Sequence, residues 1–206
     1  IHLPITYHSN QNKIFFESNA RFKIIPKGRR FGLTRGFANF SIEQMLEGNG
    51  PVLWVDTVNG NLDRYMDRYF KPVLRFLPRD YWNYRQQRKE LTIGEQKMDL
   101  RSADRPENIE GFGYKLIILN EAGIILKNRY LWENAIRPMA MDYKADVLIG
   151  GTPKGKKVGT DVHLFYELAE KARKDKSGNW QLFNFSSYDN AFLDHAEVDE
   201  LVKETS

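Results

Sequence analysis

The sequence contains no cysteine. That excludes a disulfide framework and every cysteine-ligated metal site, and it suits an intracellular setting. Long apolar runs are missing too. The longest, residues 116–119 and 124–126, fall far short of the roughly twenty residues needed to span a bilayer. The opening residues lack the basic, apolar, small-residue order of a secretory signal, and no repeat or low-complexity segment occurs. Neither sign of charge dominates. Thirty-one Lys and Arg face 27 Asp and Glu, leaving +4 and a pI near 9.1, a balance compatible with a polyanionic partner without requiring one. What is present is apolar material for one sizeable core: 41% hydrophobic and 13% aromatic residues in a 206-residue chain, enough for a single domain.

Short apolar runs alternate with longer amphipathic stretches. Strands are expected at residues 22–25, 52–55, 116–119 and 147–149, and a last, alternating one at 181–185. Helices are expected over 34–46, 62–77 with a break or restart near Pro72, 130–139 around Pro138, and 162–173. A small hairpin is expected around Gly94, between 91–93 and 98–100. The continuous apolar run 116–119 reads as a parallel strand buried on both faces. Strands alternating with helices imply an α/β sandwich with a mostly parallel central sheet, which collects ligands at the carboxyl ends of its strands. The tail at 197–203 reads as a helix cut short. With an opening at Ile1 rather than Met, it suggests a piece of a longer chain.

Between the first strand and first helix lies Lys27-Gly28-Arg29-Arg30-Phe31-Gly32-Leu33-Thr34. A glycine-containing turn there aims backbone N–H groups and a helix N-terminus at one spot, where phosphate is stabilised. In the pattern G-x-x-x-x-G-K-[ST], Gly32 and Thr34 fit, and Thr34 stands where a hydroxyl meets Mg²⁺. Lys27 occupies the first-glycine position and Leu33 the lysine position. Leucine cannot neutralise phosphate charge, but Lys27 can fold back over the loop, and Arg29 and Arg30 add cationic donors. The alternative is a basic turn whose glycines only permit tight geometry.

The run Leu116-Ile117-Ile118-Leu119 ends in Asn120-Glu121. In P-loop ATPases this place carries an Asp for Mg²⁺ and then a Glu that orients or deprotonates the attacking water. Glu121 fits the second role. Asn120 offers an amide oxygen without negative charge, so weaker Mg²⁺ binding is expected. The alternative is an ordinary strand end with a polar cap.

Two further segments complete the pattern. Arg101-Ser102-Ala103-Asp104-Arg105-Pro106-Glu107-Asn108-Ile109-Glu110-Gly111 precedes the acidic strand, and 147–149 leads into Gly150-Gly151-Thr152-Pro153-Lys154-Gly155. In content and order these resemble the ATPase domain of tailed-bacteriophage terminase large subunits, over about residues 10–190. The resemblance implies a P-loop NTPase three-layer sandwich over 1–190, with 191–206 the start of a linker toward a nuclease domain absent from this sequence. It implies ATP and Mg²⁺ as cofactors and hydrolysis of ATP without DNA cleavage. The work would be translocation of double-stranded viral DNA into a procapsid.

By the same resemblance Gln11 contacts adenine, and Lys27, Gly28, Arg29, Arg30, Phe31, Gly32, Leu33 and Thr34 bind nucleotide. Thr34 and Asn120 hold the metal, Glu121 with Lys27 and Arg29 serves catalysis, and Thr152 couples hydrolysis to movement. Relatives place an arginine finger where Glu110 stands here, so Arg105, or else Arg101, is the candidate; the alternative for Arg105 is an ion pair with Asp104 or Glu107. Implied partners are double-stranded DNA, a portal protein, a small terminase subunit and further copies in a ring. The implied location is the host cytoplasm at the procapsid portal, and not the mature virion. Three basic groups are candidates for DNA contact: Lys154, Lys156 and Lys157; Lys171, Arg173, Lys174 and Lys176; and Arg85, Arg88 and Lys89. Tyr81, Trp82 and Tyr84 read as packing residues. Two other readings remain open on sequence: a different, helicase-like P-loop ATPase, and a nucleotide- or DNA-binding assembly module without turnover.

Overall fold

The computed structural model of the chain describes residues 2–28, 31–109, 111–184 and 192. Arg29, Arg30, Glu110, the tail expected at 197–203 and all of the 191–206 linker but Phe192 lie outside the described residues.

The strands are β1 Phe22–Pro26, β2 Val52–Asp56, β3 Trp82–Arg85, β4 Glu90–Ile93, β5 Gln96–Ser102, β6 Leu116–Asn120, β7 Asp146–Gly151, β8 Lys157–Val158, β9 Asp161–Val162 and β10 Trp180–Leu182. Eight of them form one sheet in the order β10-β1-β7-β6-β2-β5-β4-β3, parallel from β10 through β5 and antiparallel at β4 and β3. The four apolar runs expected as strands are thus four adjacent parallel strands, β1, β7, β6 and β2. Their continuous hydrophobicity has a physical cause: alternate side chains enter opposite faces, and both faces are covered. Phe22, Ile24, Leu53, Val55, Ile117, Leu119, Val147 and Ile149 enter one core, while Ile25, Val52, Trp54, Leu116, Ile118 and Leu148 enter the other.

The helices are α1 Ser9–Asn12, α2 Leu33–Leu46, α3 Asn59–Tyr65, α4 Lys71–Leu74, α5 Ala122–Ile125, α6 Arg137–Tyr143 and α7 Leu164–Lys174. Apolar side chains of α2, α3 and α4 fill the second core, and those of α5, α6 and α7 fill the first, which makes the three layers. The helix expected over 62–77 spans α3, a wider π stretch Met66–Phe70 and α4, and it ends at Leu74. Pro72 sits in the first turn of α4, where its missing N–H breaks no bond. Pro138 sits likewise in the first turn of α6, after a π stretch Leu131–Ile136. The helix expected from 162 starts at Leu164, because Asp161 and Val162 pair with β8 and the His163 ring accepts from Phe165 N at 3.1 Å as an N-cap. The Gly94 hairpin is larger than expected, since β5 also joins β2 and ties the hairpin into the main sheet. Among the described residues no helix is long and apolar enough to cross a membrane.

Candidate nucleotide site

Gly32 begins the site. It holds the left-handed conformation at φ +73° as the N-cap of α2, a geometry that an L side chain rarely adopts. No side chain caps α2, so its first-turn N–H groups stay available to an anion. The loop is braced from the chain's N-terminal segment. Gln11 is buried; its Nε2 donates to Gly32 O at 3.2 Å, while its Oε1 accepts from His8 N at 3.2 Å. The His8 ring accepts from Gln11 N and so presents its other nitrogen, as donor, to Phe31 O at 3.2 Å. Gln11 therefore stands beside the loop after β1 with both ends of its amide engaged by protein, and the expected adenine contact requires these bonds to give way.

Lys27 follows β1 and its backbone N–H donates to Gly151 O at 3.0 Å, which pins the loop to the end of β7. Burial holds the Lys27 ammonium below its usual range, and the nearby Glu121 carboxylate partly offsets this. Leu33 is fully buried in the α2 core, so it offers the loop only its backbone.

On the α2 side of the sheet, β6 ends in Asn120 and β2 in Asp56. The Thr34 hydroxyl donates to Asn120 Oδ1 at a long 3.4 Å, and Asn120 Nδ2 donates to Asp56 Oδ2 at 2.8 Å. Asp56 is fully buried and also accepts from Thr57 N at 2.8 Å and Trp54 Nε1 at 3.2 Å. Burial pushes its carboxyl up to about 6, against those three hydrogen bonds. Asp56 escapes a sequence reading fixed on known motif positions, although an apolar strand ending in an acid was the available signal. Glu121 comes next, half-buried, at φ +58° and ψ +46°. A non-glycine residue in that region is uncommon; Lys89 and Lys144 share it in turns. Among the described residues its carboxylate has no hydrogen-bond or ion-pair partner. The half-buried Tyr65 phenol faces the same acids; burial, then Asp56 and Glu121, raise it above its ordinary value, so it remains a donor.

Thr152 follows β7, and its carbonyl lies where a Cβ on Gly123 would stand. Close approach is possible only because Gly123 has none. The His163 ring, which caps α7 through Nδ1, donates through Nε2 to Gly123 O at 3.0 Å, and its backbone N–H reaches Lys156 O at 2.7 Å. Lys27, Gly28, Gly32, Thr34, Asn120, Glu121 and Thr152 thus all meet at the carboxyl ends of β1, β6 and β7. The Arg105 segment hangs from the same end, since Ala103 N donates to Asp56 O at 2.7 Å. Arg105 is exposed and forms no ion pair with Asp104 or Glu107. Arg101, the other candidate, is engaged within the chain: its guanidinium binds the carbonyls of Arg88, Lys89 and Leu100 and lies 3.6 Å from Asp99. A cavity of about 650 Å³ lined by Arg21, Lys23, Lys115 and Asp146 lies at the opposite, amino ends of the strands and shares no residue with this site.

No protein-family model and no curated protein sequence matches the chain. Solved structures do. The ATPase domain of the Thermus phage P74-26 large terminase superimposes with a TM-score of 0.73, at 20% identity, over 98% of this chain and 88% of that one. This chain has the large terminase ATPase fold. An arginine-to-alanine mutant of the same phage domain gives 0.71 at 19% identity, with the same coverage. A nuclease-deletion mutant of the Type ISP restriction-modification enzyme LlaGI, in complex with a DNA substrate mimic, gives 0.50 at 14% identity over 89% of this chain and 20% of its own. The terminase fold covers almost all of the chain, and in it the loop after β1, the end of β6 and the turn after β7 converge at the carboxyl ends of the strands, where ligands collect in open α/β sheets.

Proposed function

We propose that the chain is the ATP-hydrolysing motor domain of a machine that packages double-stranded viral DNA into a procapsid, with residues 1–190 as the motor and 191–206 as a connector. The observation that carries this is the convergence, within a terminase ATPase fold, of a left-handed glycine turn, an uncapped helix N-terminus, Thr34 beside Asn120, and a left-handed Glu121 whose carboxylate has no hydrogen-bond or ion-pair partner among the described residues.

The residues fit Mg²⁺ with ATP. Thr34 and Asn120 present two hard oxygens 3.4 Å apart with a buried carboxylate behind them. Among the described residues no cluster of three His, Cys, Asp or Glu could hold a metal by itself, and Mg²⁺ in such sites takes one or two protein oxygens together with water and phosphate. Bound there, the ion neutralises charge on the β- and γ-phosphates. Gly28, Gly32 and the α2 N-terminus cradle the phosphates, Lys27 with Arg29 and Arg30 supplies cationic charge, and Glu121 orients the attacking water. Arg105 reaches toward the site of a neighbouring subunit.

Thr152 couples the site to DNA through the β8–β9 hairpin. Lys154, in the turn before the hairpin, and Lys157, in β8, are exposed and make no ion pair among the described residues, and Lys156 lies over the Tyr166 ring at 5.3 Å. The other basic groups are partly neutralised: Lys89 pairs with Asp63 at 2.7 Å, and Arg173 and Lys174 pair with Glu170. In this reading the working form is a ring on a portal protein, supplied with DNA by a small terminase subunit, in the host cytoplasm at the procapsid. Phosphate release from Mg-ATP, measured with and without double-stranded DNA, tests it. Slow release stimulated by DNA is expected; tight nucleotide binding without release under either condition would make the domain an assembly module instead.

A further inference from the structure

Asn120 leaves the metal position without the carboxylate its chemistry calls for, and the register of the sheet shows where one is found. Strands β2 and β6 are parallel neighbours, paired from Val52 with Leu116 to Val55 with Leu119. The next residue on each is Asp56 and Asn120. Alternation places both side chains on the α2 face, with Thr34. We propose that Asp56 is the positioning residue of the metal position, orienting Asn120 and supplying the negative charge that β6 lacks. The proposal rests on the ATPase reading of this site and adds a residue from a different strand to it.

Three observations carry it. First, an ionised carboxylate only accepts hydrogen bonds. With Asp56 Oδ2 at 2.8 Å from Asn120 Nδ2, the amide must turn its nitrogen toward β2 and its oxygen toward Thr34, which is the metal side. Second, Asp56 is fully buried, accepts from Thr57 N, Trp54 Nε1 and Asn120 Nδ2, and has no cationic side chain paired with it among the described residues. A buried carboxylate is held as the anion by hydrogen bonds and by opposite charge nearby; Asp56 has the first, and a divalent cation across the Asn120 amide would provide the second. Third, the line Thr34–Asn120–Asp56 is continuous, so the charge acts through one amide rather than through solvent.

A merely structural role, tying β2 to β6, makes a different prediction. Mn²⁺ binding, followed by electron paramagnetic resonance in the presence of a non-hydrolysable ATP analogue, separates the two on the 206-residue chain. Asp56→Asn should weaken Mn²⁺ binding at least tenfold, while binding of the analogue alone, in EDTA, stays within twofold of the parent. The exchange variant, Asp56→Asn with Asn120→Asp, keeps the interstrand hydrogen bond with donor and acceptor reversed. It should restore Mn²⁺ affinity to the parent level or beyond. Should the single variant fail to fold by circular dichroism, the exchange variant carries the test. Mn²⁺ affinity unchanged in Asp56→Asn, or not restored in the exchange variant, overturns the proposal and leaves the ATPase reading standing. A parent chain that binds no nucleotide with or without metal overturns both.

Discussion

Leu33 stands where a P-loop carries its lysine, and its side chain is wholly inside the α2 core. In the proposed reading the phosphate clamp comes from elsewhere, and Lys27 is the candidate, half-buried at the base of the loop and near Glu121. Its charge matters most as negative charge shifts over the γ-phosphoryl oxygens in the transition state. Lys27→Ala should lower ATP turnover on the order of a hundredfold or more, the scale for losing one such group, with the melting temperature little changed. Leu33→Lys in that background should fail to rescue it. The new ammonium would enter an apolar core, at a cost of several kcal/mol if it stayed charged. A rescued steady-state rate would show that the loop can turn this side chain outward. At this scale the sequence already sets side by side the candidate residues that the fold brings to the strand ends, Lys27, Gly32, Thr34, Asn120 and Glu121. It was not legible for Asp56, whose meaning depends on strand register 64 residues away, nor for telling Arg101 from Arg105, which differ only in what folds around them.

The junction of α5, the end of β7 and α7 links the carboxyl end of the sheet to the β8–β9 hairpin. Gly123 packs against the Thr152 carbonyl, and His163 joins Gly123 O to the start of α7 and to Lys156 O. Gly123→Ala forces these backbones apart, so a loss of about 1–3 kcal/mol in urea unfolding is expected, the usual size of an overpacking defect. His163 adds a pH dependence. Burial holds its imidazole below the ordinary value near 6.5, Lys127 and Arg129 act in the same direction, and the Gly123 carbonyl opposes them. The unfolded chain thus takes up a proton before the folded one does. The contribution of neutral His163 is complete above pH of about 6.5 and is lost as pH falls below it toward the folded-state value. His163→Asn keeps a cap but loses the reach to Gly123. Its melting temperature should lie below the parent's at neutral pH, and the gap should narrow on acidification; a gap independent of pH would place the effect elsewhere.

Elements were legible in proportion to how fully they are buried. The four central strands announce themselves as apolar runs, whereas β3 is an edge strand of four residues with alternate side chains exposed, and Trp82 and Tyr84 read only as packing aromatics. That reading agrees with their place on the α2-side core and with the Tyr84 hydroxyl on Asp63 at 2.7 Å. Tyr81 is largely exposed.

For the whole molecule, the proposed working form is a ring of motor units on a portal. The 206-residue chain alone should therefore be largely monomeric with weak turnover; light scattering that showed a stable closed ring would count against it. The proposed DNA contact through the β8–β9 hairpin would be sequence-independent and so salt-dependent. Replacing Lys154, Lys156 and Lys157 by Ala should weaken double-stranded DNA binding and reduce the slope of log affinity against log salt by about two to three. The same triple change at Lys171, Arg173 and Lys174 should have less effect. The central claim is that the ends of β1, β6 and β7 form an ATP-hydrolysing site with Glu121 at its reacting end. It is tested most directly by single-turnover γ-phosphate release from Mg-ATP in the parent and in Glu121→Gln. The account predicts that the variant binds ATP as the parent does and releases phosphate at least about a hundredfold more slowly; equal release by the two proteins would contradict it.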